Sequence, residues 1–196
     1  MLLGSLVLIT GTPGVGKTSV LNKLTKEAEK EKIALKIVNF GTIMNNLLES
    51  SGKKIHRDEL RKHNFGKQKE IQLEAAKLIS KMKNHYVLVV DTHMFIRTSV
   101  GAFPGLPEYV IKELDPSMLV LIEANPEDIT KRREKDQTRK RDAQTFQDVE
   151  FDLEWGRKTA AACAIMTGAP VSIINNEEGS PDKAVKQILD MIKEVI

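Results

Sequence analysis

Residues 11–18, Gly11-Thr12-Pro13-Gly14-Val15-Gly16-Lys17-Thr18, set three glycines, a lysine and a hydroxyl in the spacing G-x-x-x-x-G-K-[ST]. That spacing suits one task, the capture of a polyphosphate. Glycines let the backbone turn with its N–H groups facing inward on an anion. A helix opening at Lys17 would add unpaired amides and the positive end of its dipole. Lys17 supplies a point charge for the outer phosphates, and Thr18 a hydroxyl for Mg²⁺. The candidate nucleotide-binding set is therefore Gly11, Thr12, Pro13, Gly14, Val15, Gly16, Lys17, Thr18 and Ser19.

A second chemical signal is Val87-Leu88-Val89-Val90-Asp91-Thr92-His93. Four apolar residues ending in a carboxylate describe a buried strand that presents Asp91 beside the loop. Together with Thr18 it would hold hydrated Mg²⁺. Thr92 follows, where a hydrolytic ATPase would need a carboxylate to activate water, so the site reads as built for transfer. Arg97 lies further along, at the same sheet edge, where its planar fork suits a second phosphate. No Asn-Lys-x-Asp stretch reads guanine. If that second phosphate is the acceptor, it is already ionised at neutral pH, and His56, His63, His85 and His93 need no catalytic role.

Around these residues the charge is uneven. The chain of 196 residues carries a net +3, but residues 53–69 hold seven basic and two acidic groups, a net +5. Residues 131–142 hold seven basic and three acidic groups, a net +4, which leaves −6 for the rest. Two basic segments on an acidic body predict two anion-binding patches. The single Cys163 can form no internal disulfide and fits a reducing compartment, and its alanine-rich surroundings suggest burial. No apolar run approaches a membrane span. The N-terminal apolar stretch lacks a basic leader and reads as a core strand. The expected location is cytoplasmic.

The elements that must position this chemistry are short, nearly continuous Val/Ile/Leu runs at 5–10, 34–40, 86–91, 118–124 and 171–175. Such runs are strands buried on both faces of a parallel sheet. Helical segments are expected at 17–32, 58–83, 127–135, 148–168 and 181–195. Strands alternating with helices predict one α/β domain with ligands beyond the carboxyl ends of the strands.

In sum, these stretches resemble the archaeal-type adenylate kinases. The likeness rests on the phosphate loop, Arg57-Asp58-Glu59-Leu60-Arg61-Lys62, Asp91-Thr92-His93 with Ile96-Arg97-Thr98, and Pro104-Gly105-Leu106-Pro107. It continues through Ile122-Glu123-Ala124-Asn125-Pro126 and the short basic stretch from Arg132 to Arg141, in order along nearly the whole chain. It implies a P-loop NTPase fold with a five-stranded parallel sheet. The core would be 1–40, 84–127 and 145–196, the AMP-binding flap about 41–83, and the short lid about 128–144. It also implies transfer of the terminal phosphate of Mg-ATP to AMP, giving two ADP. Arg57, Arg61 and Arg97 would grip AMP, with Gln68 either reading the acceptor base or lying on the surface. Arg132, Arg139 and Arg141 would close from the lid, acting with Lys17 and Arg97 on the transferring group. Members are commonly trimeric, so a homotrimer is expected. Bacterial and mitochondrial relatives differ: their Thr-Gly-Asp is Phe40-Gly41-Thr42 here, and their Gly-Phe-Pro-Arg and long cysteine-bearing lid are missing. Two other readings stand beside this one. One is a kinase of another nucleoside monophosphate. The other is a nucleic-acid-associated ATPase, for which basic segments speak and the 5% aromatic content speaks against.

Overall fold

The computed structural model describes residues 4–50, 65–83, 86–98, 101–135, 145–177 and 180–195. Five parallel strands form the central sheet in the order β2-β3-β1-β6-β7. They are β1 (Leu6–Thr10), β2 (Leu35–Asn39), β3 (Val87–Asp91), β6 (Met118–Glu123) and β7 (Val171–Asn175). All five lie where the apolar runs predict.

Alternation along each strand feeds two cores. Val7, Ile9, Val89, Val120 and Ile122 face one layer, packed by α1 (Lys17–Lys30) and α7 (Pro181–Glu194). Leu6, Leu8, Leu88, Val90, Leu119 and Leu121 face the other. There they meet α3 (Phe65–Ser80), α4 (Glu108–Leu114) and α6 (Phe146–Thr167). Burial on both faces explains why these strands read as continuous rather than alternating. Helix α5 (Pro126–Lys135) follows β6 directly and anchors through the fully buried Ile129.

Helix α6 shows how local sequence fixes an element. Thr145 accepts a hydrogen bond from the Asp148 amide while the Asp148 carboxylate accepts from the Thr145 amide, a reciprocal capping box. Gly168, at φ 74°, ends the helix in the left-handed conformation.

Three elements were not foreseen. Helix α2 (Phe40–Ser50) starts with no connecting loop after β2, so Phe40 is its first residue and not the end of the strand. Asn39 caps it, its Oδ1 accepting the Thr42 amide at 2.9 Å. An antiparallel ribbon, β4 (Phe95–Thr98) with β5 (Gly101–Pro104), leaves the sheet after β3, and α4 follows it. The helix expected over 58–83 is described from Phe65 to Ser80; residues 58–64 lie outside the described residues.

Candidate active site

Strand β1 delivers the chain to the loop fully buried at Thr10. Gly14 and Gly16 take φ values of 97° and 84°, the left-handed region in which side chains are strained. Gly11 is needed for a different reason: a Cβ there would stand 2.5 Å from the Ile122 carbonyl oxygen. Gly16 is the N-cap of α1, no side chain hydrogen-bonds that cap, and the first turn carries no acid. The positive end of the helix dipole is thus left open at the position an anion would take. Thr18 and Ser19 are exposed on this first turn.

Lys17 lies across the mouth of the loop. Its Nζ pairs with Asp91 Oδ1 and donates to the Thr92 carbonyl at 2.9 Å, which brings the lysine and the β3 carboxylate together. The other Asp91 oxygen accepts from Asn39 Nδ2 at 2.6 Å. Asn39 and Asp91 are partners in the β2–β3 register, so the sheet itself sets this contact.

The loop is braced from outside. Arg132 Nη1 donates to the Gly14 carbonyl at 3.3 Å, and Arg133 Nε to the Pro13 carbonyl at 2.7 Å. Asn176, just past β7, donates from Nδ2 to the Val15 carbonyl at 2.7 Å. Asp152 on α6 is a buried carboxylate that accepts from Arg97 Nε at 2.6 Å and from Arg133 Nη2 at 3.1 Å. A small cavity behind the loop, lined by Thr10, Glu123, Asp152 and Gly156 among others, measures about 20 Å³. Glu123 in its wall is buried, and the Arg157 fork closes on it at 2.8 and 2.6 Å.

Arg97 does not project from a bare sheet edge. Its Nε meets Asp152, its Nη1 meets Asp148 Oδ1 at 2.9 Å, its Nη2 meets the Asp148 carbonyl at 2.9 Å, and its guanidinium stacks 5.0 Å from the Phe151 ring centroid. The facing carboxylates hold its pKa above the ordinary arginine value against the opposing effect of burial. Gln68 is buried, which overturns the surface reading. Its Oε1 has no hydrogen-bond partner among the described residues, although buried carboxamides normally find one. Arg57, Arg61, Arg139 and Arg141 lie outside the described residues.

Sequence reasoning missed Asn39, Arg133, Asp152 and Asn176. Arg133 was counted in a basic segment without a role. Asn39 had one usable signal, an N-capping residue type at a strand end.

A family model described as an AAA domain matches residues 10–150. Over 187 residues the chain is 44% identical to the adenylate kinase of Methanocaldococcus jannaschii, spanning 95% of this chain and 97% of that protein. It is also 44% identical over 185 residues to the adenylate kinase of Thermoplasma acidophilum, spanning 94% and 97%. The chain belongs to the adenylate kinase family. The kinase is thus a phosphotransferase. Among solved structures, a shikimate kinase from Bacteroides thetaiotaomicron superposes with a TM-score of 0.60 over 96% of this chain and 98% of that one. One from Acinetobacter baumannii gives 0.57 over 98% and 94%. At 12% and 14% identity these show the shared fold alone. No helix among the described residues is long and apolar enough to cross a membrane.

Proposed function

We propose that the kinase transfers the terminal phosphate of ATP to AMP, giving two ADP, at the loop carried by Lys17. The observation that carries this is the Lys17–Asp91 pair set against an uncapped glycine-rich helix start. The loop amides between Gly11 and Ser19 would hold the ATP phosphates, apart from Pro13, which has no N–H, and Val15, whose amide donates to the Thr12 carbonyl at 3.3 Å. Lys17, freed from Asp91, would follow the transferring group. Catalysis by such a site is positioning plus positive charge, with no covalent intermediate on the protein.

Thr18 and Asp91 offer hydroxyl and carboxylate oxygens, the donor set that suits Mg²⁺. Among the described residues no group of three or more His, Cys, Asp or Glu could hold a metal alone, which fits an ion carried mainly by phosphates and water. When bound, Mg²⁺ would neutralise the negative charge on the phosphates.

Arg97 would take the acceptor phosphate, joined by Arg57 and Arg61 from the flap. Arg132, Arg139 and Arg141 would close over the transferring group, and the Arg132 contact to Gly14 supports that reading. Gln68 would read the acceptor base, since a buried carboxamide oxygen in want of a donor suits an amino group. The flap at about 41–83 is supported by a small separate cluster of Leu48 and Ile71 with Met44 between α2 and α3. The lid spans about 128–144. The kinase would form a homotrimer by its likeness to the family, and exposed Phe146, Phe151, Trp155 and Ile173 offer apolar surface for self-association. A cytoplasmic location accords with the single, unpaired Cys163.

The test is to mix the protein with Mg-ATP and each nucleoside monophosphate in turn and follow ADP. AMP should be the preferred acceptor, and the K17M variant should fold yet transfer nothing. Preference for another monophosphate, or wild-type turnover in K17M, would refute the reading. Light scattering on the eluting protein tests the trimer.

A further inference from the structure

Asp152 has a feature that no motif predicts: its two oxygens serve two different parts of the site. Oδ1 accepts from Arg97 Nε on the ribbon at 2.6 Å. Oδ2 accepts from Arg133 Nη2 at 3.1 Å and from the Thr12 hydroxyl of the phosphate loop at 3.4 Å. The carboxylate is 4% exposed, so neither contact competes with much water. Arg97 itself is 34% exposed and stands on a two-stranded ribbon outside the main sheet. Its long side chain has no rigid support of its own there, and α6 provides it.

We propose that Asp152 is a positioning residue for the acceptor phosphate: it fixes the Arg97 guanidinium through Nε and so aims the remaining N–H groups at the ligand. The donor inventory allows this. A guanidinium has five N–H groups, and α6 engages three nitrogens once each. One N–H on each Nη stays uncommitted, enough for a phosphate oxygen pair. The donor side is buffered against loss of Asp152, because Arg133 also holds the Pro13 carbonyl at 2.7 Å and the Thr12 hydroxyl at 3.1 Å. Removing the carboxylate should therefore be felt at the acceptor far more than at ATP. This rests on the assignment of Arg97 to the acceptor.

The experiment compares D152N, R97A and the double variant in the full chain, measuring the AMP KM and ATP binding separately. D152N should raise the AMP KM by about tenfold or more, the scale of one hydrogen bond to a charged group, with ATP binding changed by less than about threefold. In the R97A background D152N should add nothing further. If R97A weakens AMP while D152N leaves it unchanged, strengthens it, or weakens ATP equally, the positioning role is overturned and the Arg97 assignment survives. If R97A itself leaves the AMP KM unchanged, both fall. Should D152N fail to fold, the Arg97 Nε–H signal of the wild-type protein in nitrogen-15 NMR decides. Retention of its hydrogen-bonded shift on adding AMP supports positioning, and a shift to the solvent-exposed value refutes it.

Discussion

Replacing Asn39 with alanine tests the way the sheet hands Asp91 to the site. The carboxamide does two jobs: Oδ1 caps α2 through the Thr42 amide at 2.9 Å, and Nδ2 donates to Asp91 at 2.6 Å. Loss of an N-cap costs about 1 kcal/mol. A hydrogen bond to a charged group contributes about 1.5–3 kcal/mol, and Asp91 at 17% exposure recovers only part of it from water. N39A should therefore lose about 3 kcal/mol, a fall in Tm of roughly 6–12 °C for a chain of this size. N39S keeps a capping oxygen but cannot reach Asp91, so it should fall short of N39A by about the cap alone. The decisive assay is a double-mutant cycle followed by thermal melts. In a D91A background the cost of N39A should shrink to about that of the cap. Equal losses in the wild-type and D91A backgrounds would refute the claim that Asn39 acts on Asp91.

Gly156→Ala should stabilise the kinase by about 1 kcal/mol, because glycine in a helix interior is costly. The new Cβ would meet only Leu121 at 3.8 and 4.0 Å, beside the cavity; a lowered Tm in calorimetry would refute this. Cys163 is buried and its thiol is pushed up to about 11 by burial, so it should resist a disulfide reagent at pH 8 until denaturant is added. Rapid native labelling would contradict the packing. Asp148 is held below its usual pKa chiefly by the Thr145 amide and hydroxyl, with Arg97 adding to it. A depressed folded pKa contributes stability above the unfolded value, near roughly pH 4, and loses it as pH falls through the folded value. The Tm gap between wild type and D148N should accordingly be steady at neutral pH and close in acid; a gap independent of pH would refute it.

How much of this was legible in the residues depends on the distance along the chain between partners. The phosphate loop is contiguous, and its glycines, lysine and hydroxyl declare themselves by spacing. The strands declared themselves by composition, since burial on both faces leaves only apolar runs. Helix α2 was hidden because it begins at the residue after the strand ends, with no loop between, and Phe40-Gly41-Thr42 carries no strong helix former. The braces of the loop lie further off. Asn176 reaches Val15 across 161 positions, Arg133 reaches Pro13 across 120, and Asp152 reaches Thr12 across 140. No local periodicity encodes such meetings; only the strand order β3-β1-β6-β7 brings them to one edge.

Arg97 shows where charge counting stops. The sequence identifies a guanidinium suited to phosphate, but not the carboxylates that hold it. A lone arginine on a ribbon would lose side-chain entropy when it gripped a ligand. Held by Asp148 and Asp152, it has already lost that freedom in the folded protein, so the ligand need not restrict it again. If Arg97 takes the acceptor phosphate, it depends on acids that would repel that anion, and the arrangement would favour binding only because those acids are each neutralised by a guanidinium. Arg133 takes up the second oxygen of Asp152 and keeps the local balance from turning negative. The two arginines and two aspartates act as one unit, and the sequence, read in order, scatters them over positions 97, 133, 148 and 152.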